Sequence, residues 1–388
     1  MTHSVPEPMP LSIAVLWQRF GPYHLARLRG ACGYFSDVYG IEVAGRDHYA
    51  WDPIQGQFSF HRTTLFPDRE YASLRRSELT RAVWNQLERI QPDAVAINGW
   101  SVPEAMIALR WCKQRDRLAI LMSETFKPSG NRIKEWVKKR RVRRFDAAIV
   151  GGRWHRSYLN QLGFPDHRIA IGYDVVDNDY FARGSERARS EADQVRRELA
   201  LPERYFFANT RFLLRKNIDG LLSAFASFSN KIADWSLVIS GSGPMEKTWK
   251  QQAADRGIRD RVRWIGFLQY EQLPAVYGLA SCFVHPAHEE PWGLVVNEAC
   301  AAGLPVIVGD RVGASCELVM DGENGLLVDS TSESQLVDAL QRIAMATDRE
   351  RKSMGEASLR LAHALTAERF GSTLRDLTSV TASPRRGH

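Results

Sequence analysis

Cysteine is scarce in this 388-residue chain. The five present (Cys32, Cys112, Cys282, Cys300 and Cys316) are odd in number, scattered, and never form a C-x-x-C pair. That spacing excludes a disulfide framework or a zinc site and suits small apolar residues in a reducing compartment. Long apolar runs are missing as well, since nothing approaches the roughly 18–20 residues of a membrane helix. The block Leu11–Trp17 is closed by Gln18 and Arg19 and has no basic flank before it, so it fails as a signal peptide too. The chain reads as cytoplasmic. With 44% hydrophobic and 25% charged residues, it is neither disordered, nor collagen-like, nor a polytopic membrane chain. Several site signatures are lacking. There is no Walker A sequence, no H-E-x-x-H and no G-x-S-x-G, and Glu246 breaks the G-x-G-x-x-G fingerprint that Gly241-Ser242-Gly243 begins.

What is present is alternation. Single cores stop growing at about 250–300 residues, so a chain of this length is expected to form two domains. Short apolar runs alternate with longer helical stretches, which predicts parallel α/β layers. In the first half, strands are expected at Ile13–Trp17, Ile41–Ala44, Ala94–Asn98, Leu118–Met122, Ala147–Val150 and Ile169–Ile171. Helices are expected near 23–35, 70–90, 103–115, 131–144 and 153–162. Arg46–Pro67 fits neither period and reads as loops or short antiparallel strands. A second series of strands follows at Tyr205–Asn209, Leu237–Ser240, Val262–Ile265, Cys282–His285, Pro305–Val308 and Leu326–Asp329. Its helices fall near 217–232, 244–256, 272–279, 293–302 and 332–346. Between the two series, Arg183–Glu203 is charged and poor in large apolar residues, with a helix expected in its later half. The division is therefore a first domain over 1–180, a linker over 181–203 and a second domain over 204–365. Thr366–Val380 reads as an amphipathic helix that packs back on one of them, and Thr381–His388 as a frayed tail.

Charge is uneven. Of the net +7, residues 1–175 hold 26 Lys and Arg against 17 Asp and Glu, while the rest of the chain holds 26 against 28. Asn131–Phe145 (NRIKEWVKKRRVRRF) alone carries eight cations and one anion. Such a run points to an anionic partner. Two readings stay open: a helix covering the first sheet with a solvated basic face, or a peripheral contact in which Ile133, Trp136, Val137 and Phe145 enter an anionic membrane surface. No nucleic-acid-binding module accompanies the run, which argues against nucleic acid.

The stretch His285–Gly309 (HPAHEEPWGLVVNEACAAGLPVIVG) is the most informative. A strand ends at His285-Pro286, a polar loop follows, and a helix opens near Gly293. Its first N–H groups lack intrahelical partners and carry the positive end of the helix dipole, which suits a phosphate. Glu290 precedes that helix and Glu298 lies inside it, so one carboxylate sits beside the anion site and the other more than a turn deeper. Paired carboxylates suit vicinal hydroxyls of a sugar or ribose, although a bare pair at this spacing also fits two surface acids. Asn209–Asn217 (NTRFLLRKN) adds Arg211 and Lys216 after the first strand of the second series, with Asn217 placed to cap the next helix; the two cations either converge on the same anion or form a solvated basic loop. Asp177-Asn178-Asp179 has the D-x-D form that can hold a metal-bound diphosphate, though such pairs are also common in loops.

Arg211 with Lys216, then SGSGP (240–244), VRWIGFLQYEQLPAVYGLASCFVHPA (262–287) and EEPWGLVVNEACAAGLPVIVGDRVGASCELVMDGENGLLV (289–328), resemble the donor domain of the retaining glycosyltransferases of family 4. The resemblance is specific over about 200–345 and mainly architectural over 1–175. It implies the GT-B fold class, an α/β architecture of two Rossmann-like doubly wound domains facing across a cleft, with a C-terminal helix crossing back to the first domain. It implies a metal-independent transferase that takes a UDP-, GDP- or ADP-sugar as co-substrate and needs no other cofactor. Arg211 and Lys216 fall where the family binds the leaving diphosphate. Glu290 falls where it contacts donor-sugar hydroxyls, and Glu298 where it contacts the ribose. The amides of Gly293, Leu294 and Val295 would cradle the distal phosphate, Gly21 would close over the diphosphate, and the base would lie against Ile265-Gly266.

Many relatives carry a His and an acid after the fourth strand of the first domain, facing the acceptor. Here that place reads Ser123-Glu124-Thr125, which leaves Glu124 and His24 as acceptor-side candidates. The acceptor is expected to be a glycan, a lipid-linked or a small-molecule hydroxyl, in bacterial surface polysaccharide or glycolipid synthesis at the inner face of the plasma membrane. The alternatives are a non-catalytic nucleotide-sugar-binding subunit, or an epimerase or phosphorylase on the same fold.

Overall fold

The computed structural model describes residues 8–46, 51 and 56–382. They form two compact units, one running to Val176 and resuming at Leu365, the other spanning Asp177–Ala364.

The first unit begins with β1 (Met9–Trp17), α1 (Pro22–Cys32), β2 (Phe35–Arg46) and β3 (His61–Glu70). It continues through α2 (Arg76–Ile90), β4 (Ala94–Asn98), α3 (Pro103–Gln114), β5 (Leu118–Ser123) and α4 (Arg132–Val142). It closes with β6 (Ala147–Val150), α5 (Arg153–Gln161) and β7 (Ile169–Ile171). The strands lie in the order β3-β2-β1-β4-β5-β6-β7, each neighbouring pair parallel. Their central members are apolar on both faces, because helices cover the sheet on each side.

The expectation for Arg46–Pro67 needs correction. β3 runs parallel beside β2 from Tyr39↔His61 to Arg46↔Glu70. Its Thr-Thr-Leu-Phe core is β-branched and aromatic, and as an edge strand it tolerates Pro67, whose missing N–H breaks no inner ladder. Half-exposure on both faces is what hid its period. Positions 47–50 and 52–55 of that segment, and 383–388 of the tail, lie outside the described residues.

The second unit opens with α6 (Asn178–Ser190), α7 (Ala192–Leu199), β8 (Tyr205–Asn209), α8 (Ile218–Ser229) and β9 (Ser236–Ser240). Next come α9 (Glu246–Asp255), β10 (Val262–Gly266), α10 (Leu273–Leu279), β11 (Cys282–His285) and α11 (Leu294–Ala301). It ends with β12 (Val306–Gly309), α12 (Ser315–Leu318), β13 (Gly325–Val328), α13 (Glu333–Met345) and α14 (Asp348–Ala362). The parallel sheet reads β10-β9-β8-β11-β12-β13. Phe206, Phe225, Phe228, Trp235 and Trp249 pack one face of it, Phe206 stacking on Trp235 at 4.6 Å.

Two further readings change. The linker expected over 181–203 is two helices of the second unit: Phe181 of α6 is buried against the rings of Tyr270 and Tyr277, and Ser185 Oγ donates to Pro274 O at 3.0 Å. Few but well-placed apolar residues make that contact, which composition could not reveal. α14 has no counterpart among the expected helices. It is highly charged, but Gly355 lies so close to Gly303 O that a Cβ would stand 2.1 Å from it.

The final helix, α15 (Ala367–Ala382), belongs with the first unit and packs on α1. Glycine makes the approach: a Cβ on Gly30 would lie 2.0 Å from Ala367 O, and one on Gly371 would lie 2.3 Å from Gly30 O. All five cysteines are free, four of them buried.

Candidate functional site

In an open parallel sheet, ligands bind beyond the carboxyl ends of the strands, where the strand order reverses. In the second unit that place lies between β8 and β11. The two connections leaving it, β8 to α8 and β11 to α11, carry Arg211, Lys216, Glu290 and Gly293.

Glu290 is pinned by its backbone. It bridges to Val312, its N–H donates to Arg311 O, and its carbonyl accepts from Gly313 N at 3.0 Å. Its side chain meets Lys216 Nζ and, at 3.0 Å, Arg215 Nη1 on the same oxygen, Oε2. Lys216 is only 8% exposed. Burial, then the charges of Arg215 and Arg211, push its ammonium well below the ordinary range, so it depends on an anion to stay charged. Glu290 supplies one. The structure thus brings Lys216 and Glu290 together, with Arg211 near enough for its charge to act on Lys216, and adds Arg215, which has no signal of its own in the sequence.

Asn217 corrects another expectation. It stands at the start of α8 with φ +56°, but its side chain makes no cap. Its Nδ2 donates instead to Pro286 O at 3.0 Å and Ser330 O at 2.7 Å, tying the β8 loop to the loops after β11 and β13. That cross-link holds Lys216 against Glu290.

Gly293 begins α11 with φ +102°, a backbone few other residues adopt, and a Cβ there would press on Val312 at 3.2 Å and on Glu290 at 3.4 Å. The Val296 N–H already bonds Gly293 O at 2.9 Å. The amides of Gly293, Leu294 and Val295 come before it, at the helix start, where no intrahelical acceptor exists. Gly241 and Gly243, by contrast, serve packing, because a Cβ on either would collide with the Thr210 or Phe212 carbonyl.

Glu298 is fully buried, so it is no surface acid. It ends a directional chain. Ser240 Oγ donates to Asn209 Oδ1 at 2.8 Å, Asn209 Nδ2 to Tyr277 Oη at 3.4 Å, and Tyr277 Oη to Glu298 Oε2 at 2.6 Å. Burial and then the Glu298 charge push the Tyr277 phenol well up, so it stays a donor. Nothing in the sequence singled out Tyr277, which lies in an apolar helix and reads as core. Ile265 and Gly266 sit at the carboxyl end of edge strand β10, on the same edge of the sheet; Gly266 has φ +72° and accepts from Gly241 N–H at 2.8 Å.

In the first unit, Gly21 starts α1 with ordinary extended angles and donates to His24 Nδ1 at 2.9 Å. Burial, helped by Arg27, lowers His24 to about 3, so the ring is neutral with its proton on Nε2. Glu124, just past β5, shares a hydrogen bond with buried Asp174, which Arg27 contacts at 3.2 Å. Burial, then the charge of Glu124, pushes the Asp174 carboxyl well above the usual range. Asp177 of the D-x-D caps α6 through Tyr180 N–H, and Asp179 pairs with Arg183. Among the described residues, no group of three or more His, Cys, Asp or Glu is placed to hold a metal ion.

Residues 190–360 match the family model described as glycosyl transferases group 1. A GDP-mannose-dependent alpha-(1-6)-phosphatidylinositol monomannoside mannosyltransferase of Mycobacterium tuberculosis is 35% identical over 182 residues, 45% of this chain and 46% of that one. The chain spans about half the length of the curated relatives it matches. Two solved structures are similar throughout: a sucrose-phosphate synthase of Thermosynechococcus elongatus (TM-score 0.75, 20% identity, 95% of this chain and 100% of that one) and Anabaena HepE in complex with UDP and glucose (TM-score 0.72, 16% identity, 95% and 99%). At such identities the likeness is one of fold, and the fold class is GT-B.

Proposed function

We propose that this chain, which carries a glycosyl transferases group 1 domain over residues 190–360, moves a hexose-type sugar from a nucleotide-sugar to a hydroxyl of a glycan, lipid-linked or small-molecule acceptor, retaining the anomeric configuration and using no metal. The convergence of Lys216, Arg215 and Glu290 at the start of α11, on the edge where the strand order reverses, carries the reading.

The chemistry follows from charge. Breaking the anomeric C–O bond leaves negative charge on the diphosphate. Lys216, Arg211 and the amides of Gly293, Leu294 and Val295 stabilise it, in the role a metal ion fills elsewhere. Glu290 engages donor-sugar hydroxyls, Glu298 the ribose, and Ile265-Gly266 the base. The acceptor hydroxyl attacks the face the leaving group departs, and its proton passes to the leaving phosphate. UDP-, GDP- or ADP-sugars fit this scheme. The test is the product: its anomeric configuration matches the donor's and its yield is unaffected by EDTA. Inversion, or loss of product with EDTA, contradicts it.

The reading extends to a cytoplasmic enzyme of bacterial surface-glycan or glycolipid synthesis that docks on the inner face of an anionic membrane through α4. No helix among the described residues is long and apolar enough to cross a membrane. On α4, Ile133 is 75% and Trp136 57% exposed, with Arg140 stacked on the Trp136 ring at 4.9 Å, whereas Phe145, expected at the same surface, is buried in the core of the first unit. Its one acid, Glu135, is turned inward. Burial alone would raise that carboxyl, but bonds from Lys138, Ser129 and Tyr158 outweigh it and hold it down to about 2. The outward face is therefore cationic with an apolar tip, at about 1 kcal/mol per basic residue near an anionic surface. Co-sedimentation with phosphatidylglycerol vesicles is expected, lost in high salt and in Lys139→Glu/Arg140→Glu. Equal binding to phosphatidylcholine vesicles contradicts the docking.

A further inference from the structure

We infer that His285 is a positioning residue for the donor sugar, its Nε2–H taking hold of the Glu290 carboxylate when the donor diphosphate draws Lys216 away. The inference rests on the transferase reading of this site.

His285 ends β11 and is 2% exposed, its ring stacked near Phe283 (centroids 6.2 Å apart, planes at 12°). Nε2 is buried and has no hydrogen-bond partner among the described residues. It lies 4.0 Å from Glu290 Oε2 and 3.7 Å from where a Cβ on Gly293 would stand, so it is aimed at the start of α11. Burial, then the charges of Lys216 and Arg215, push the imidazole well below its ordinary range, so the ring is neutral. With its proton on Nε2, it offers an N–H to an anion without adding a charge.

Two kinds of donor therefore address one oxygen. Lys216 and Arg215 hold Glu290 Oε2, while His285 Nε2 stands about 1 Å beyond hydrogen-bond range. A buried ring nitrogen left unpaired is costly, so the Nε2–H tautomer gains when that bond forms. Lys216, short of negative charge beside two arginines, finds a stronger partner in a diphosphate than in one carboxylate. As it turns to the phosphate, Glu290 loses its closest cation at the moment it must face the sugar hydroxyls. His285 then fixes it, and contributes to sugar binding without touching the phosphates.

The prediction separates sugar from diphosphate. Calorimetry of UDP, GDP and ADP and of their hexose conjugates is run on wild type, His285→Phe and His285→Gln, each also on a Glu290→Gln background. Phenylalanine keeps the stack near Phe283, and glutamine restores an N–H donor near the Nε2 position. His285→Phe is expected to weaken the sugar-bearing ligand about tenfold while changing the bare diphosphate less than about twofold. His285→Gln recovers most of the loss, and on the Glu290→Gln background His285→Phe adds nothing. If His285→Phe does not fold, His285→Asn, which removes the Nε2 position, must give the same ratio. Equal losses for both ligands, or none for either, overturn the role of His285 alone. Wild type that binds no nucleoside diphosphate overturns the transferase reading and this inference together.

Discussion

Lys216→Ala lowers turnover by about 10²–10³-fold, the usual loss when one preorganised donor to a developing anion is removed. The effect should fall on turnover more than on donor affinity, because the charge on the leaving diphosphate grows as the bond breaks. Lys216→Arg is not expected to rescue. The site is buried and already holds Arg215 against the same Glu290 oxygen, and a guanidinium needs more room than an ammonium. The pH dependence has a definite sign. A lysine held below its ordinary range by burial, Arg215 and Arg211 loses its proton earlier as pH rises. The alkaline limb of kcat/KM, which reports the free enzyme, therefore lies below that of an ordinary lysine. Bound diphosphate favours the ammonium, so the alkaline limb of kcat lies higher. Replacing Arg215 by glutamine moves the kcat/KM limb upward. A limb unmoved by that change contradicts the assignment of Lys216.

Glu298→Ala is expected to cost nucleotide affinity about 10–100-fold and fold stability about 1–3 kcal/mol, because a hydrogen-bonded buried carboxylate is removed. The stability loss has a named origin: the Tyr277 hydroxyl loses its 2.6 Å acceptor at the end of the chain from Ser240 through Asn209. Glu298→Gln keeps the volume and a hydrogen-bond acceptor, so it recovers stability but only part of the affinity. Thermal unfolding and calorimetry on the two variants separate these effects. Unchanged nucleotide affinity in Glu298→Ala would make the residue a support for Tyr277 and nothing more.

The second unit was nearly legible in the sequence because its strands are continuous apolar runs ended by glycine or polar loops, such as Cys282–His285. In a sheet buried on both faces, composition and position coincide. Where burial is partial the signal fades, as for edge strand β3. Where a few apolar residues bear the packing amid many charges, as in α6 and α14, composition misleads. The site divides along the same line. Arg211, Lys216, Glu290 and Glu298 stand out through the order and spacing of the motifs they share with a known family; bare, they also fit solvated surface charges. Arg215, Tyr277 and His285 acquire the roles proposed for them only from neighbours brought together by the fold, and Asn217 exchanges an expected cap for a tie among the loops after β8, β11 and β13.

The central claim, that the second unit holds a nucleotide-sugar without a metal, is tested most directly by thermal unfolding with UDP-, GDP- and ADP-sugars, with and without EDTA. A ligand at 100 times its dissociation constant stabilises by about 2.7 kcal/mol, which is readily seen as a raised Tm. The account predicts such a rise with at least one of the three, unchanged by EDTA. A folded protein whose Tm none of them raises, or a rise that EDTA abolishes, would contradict it.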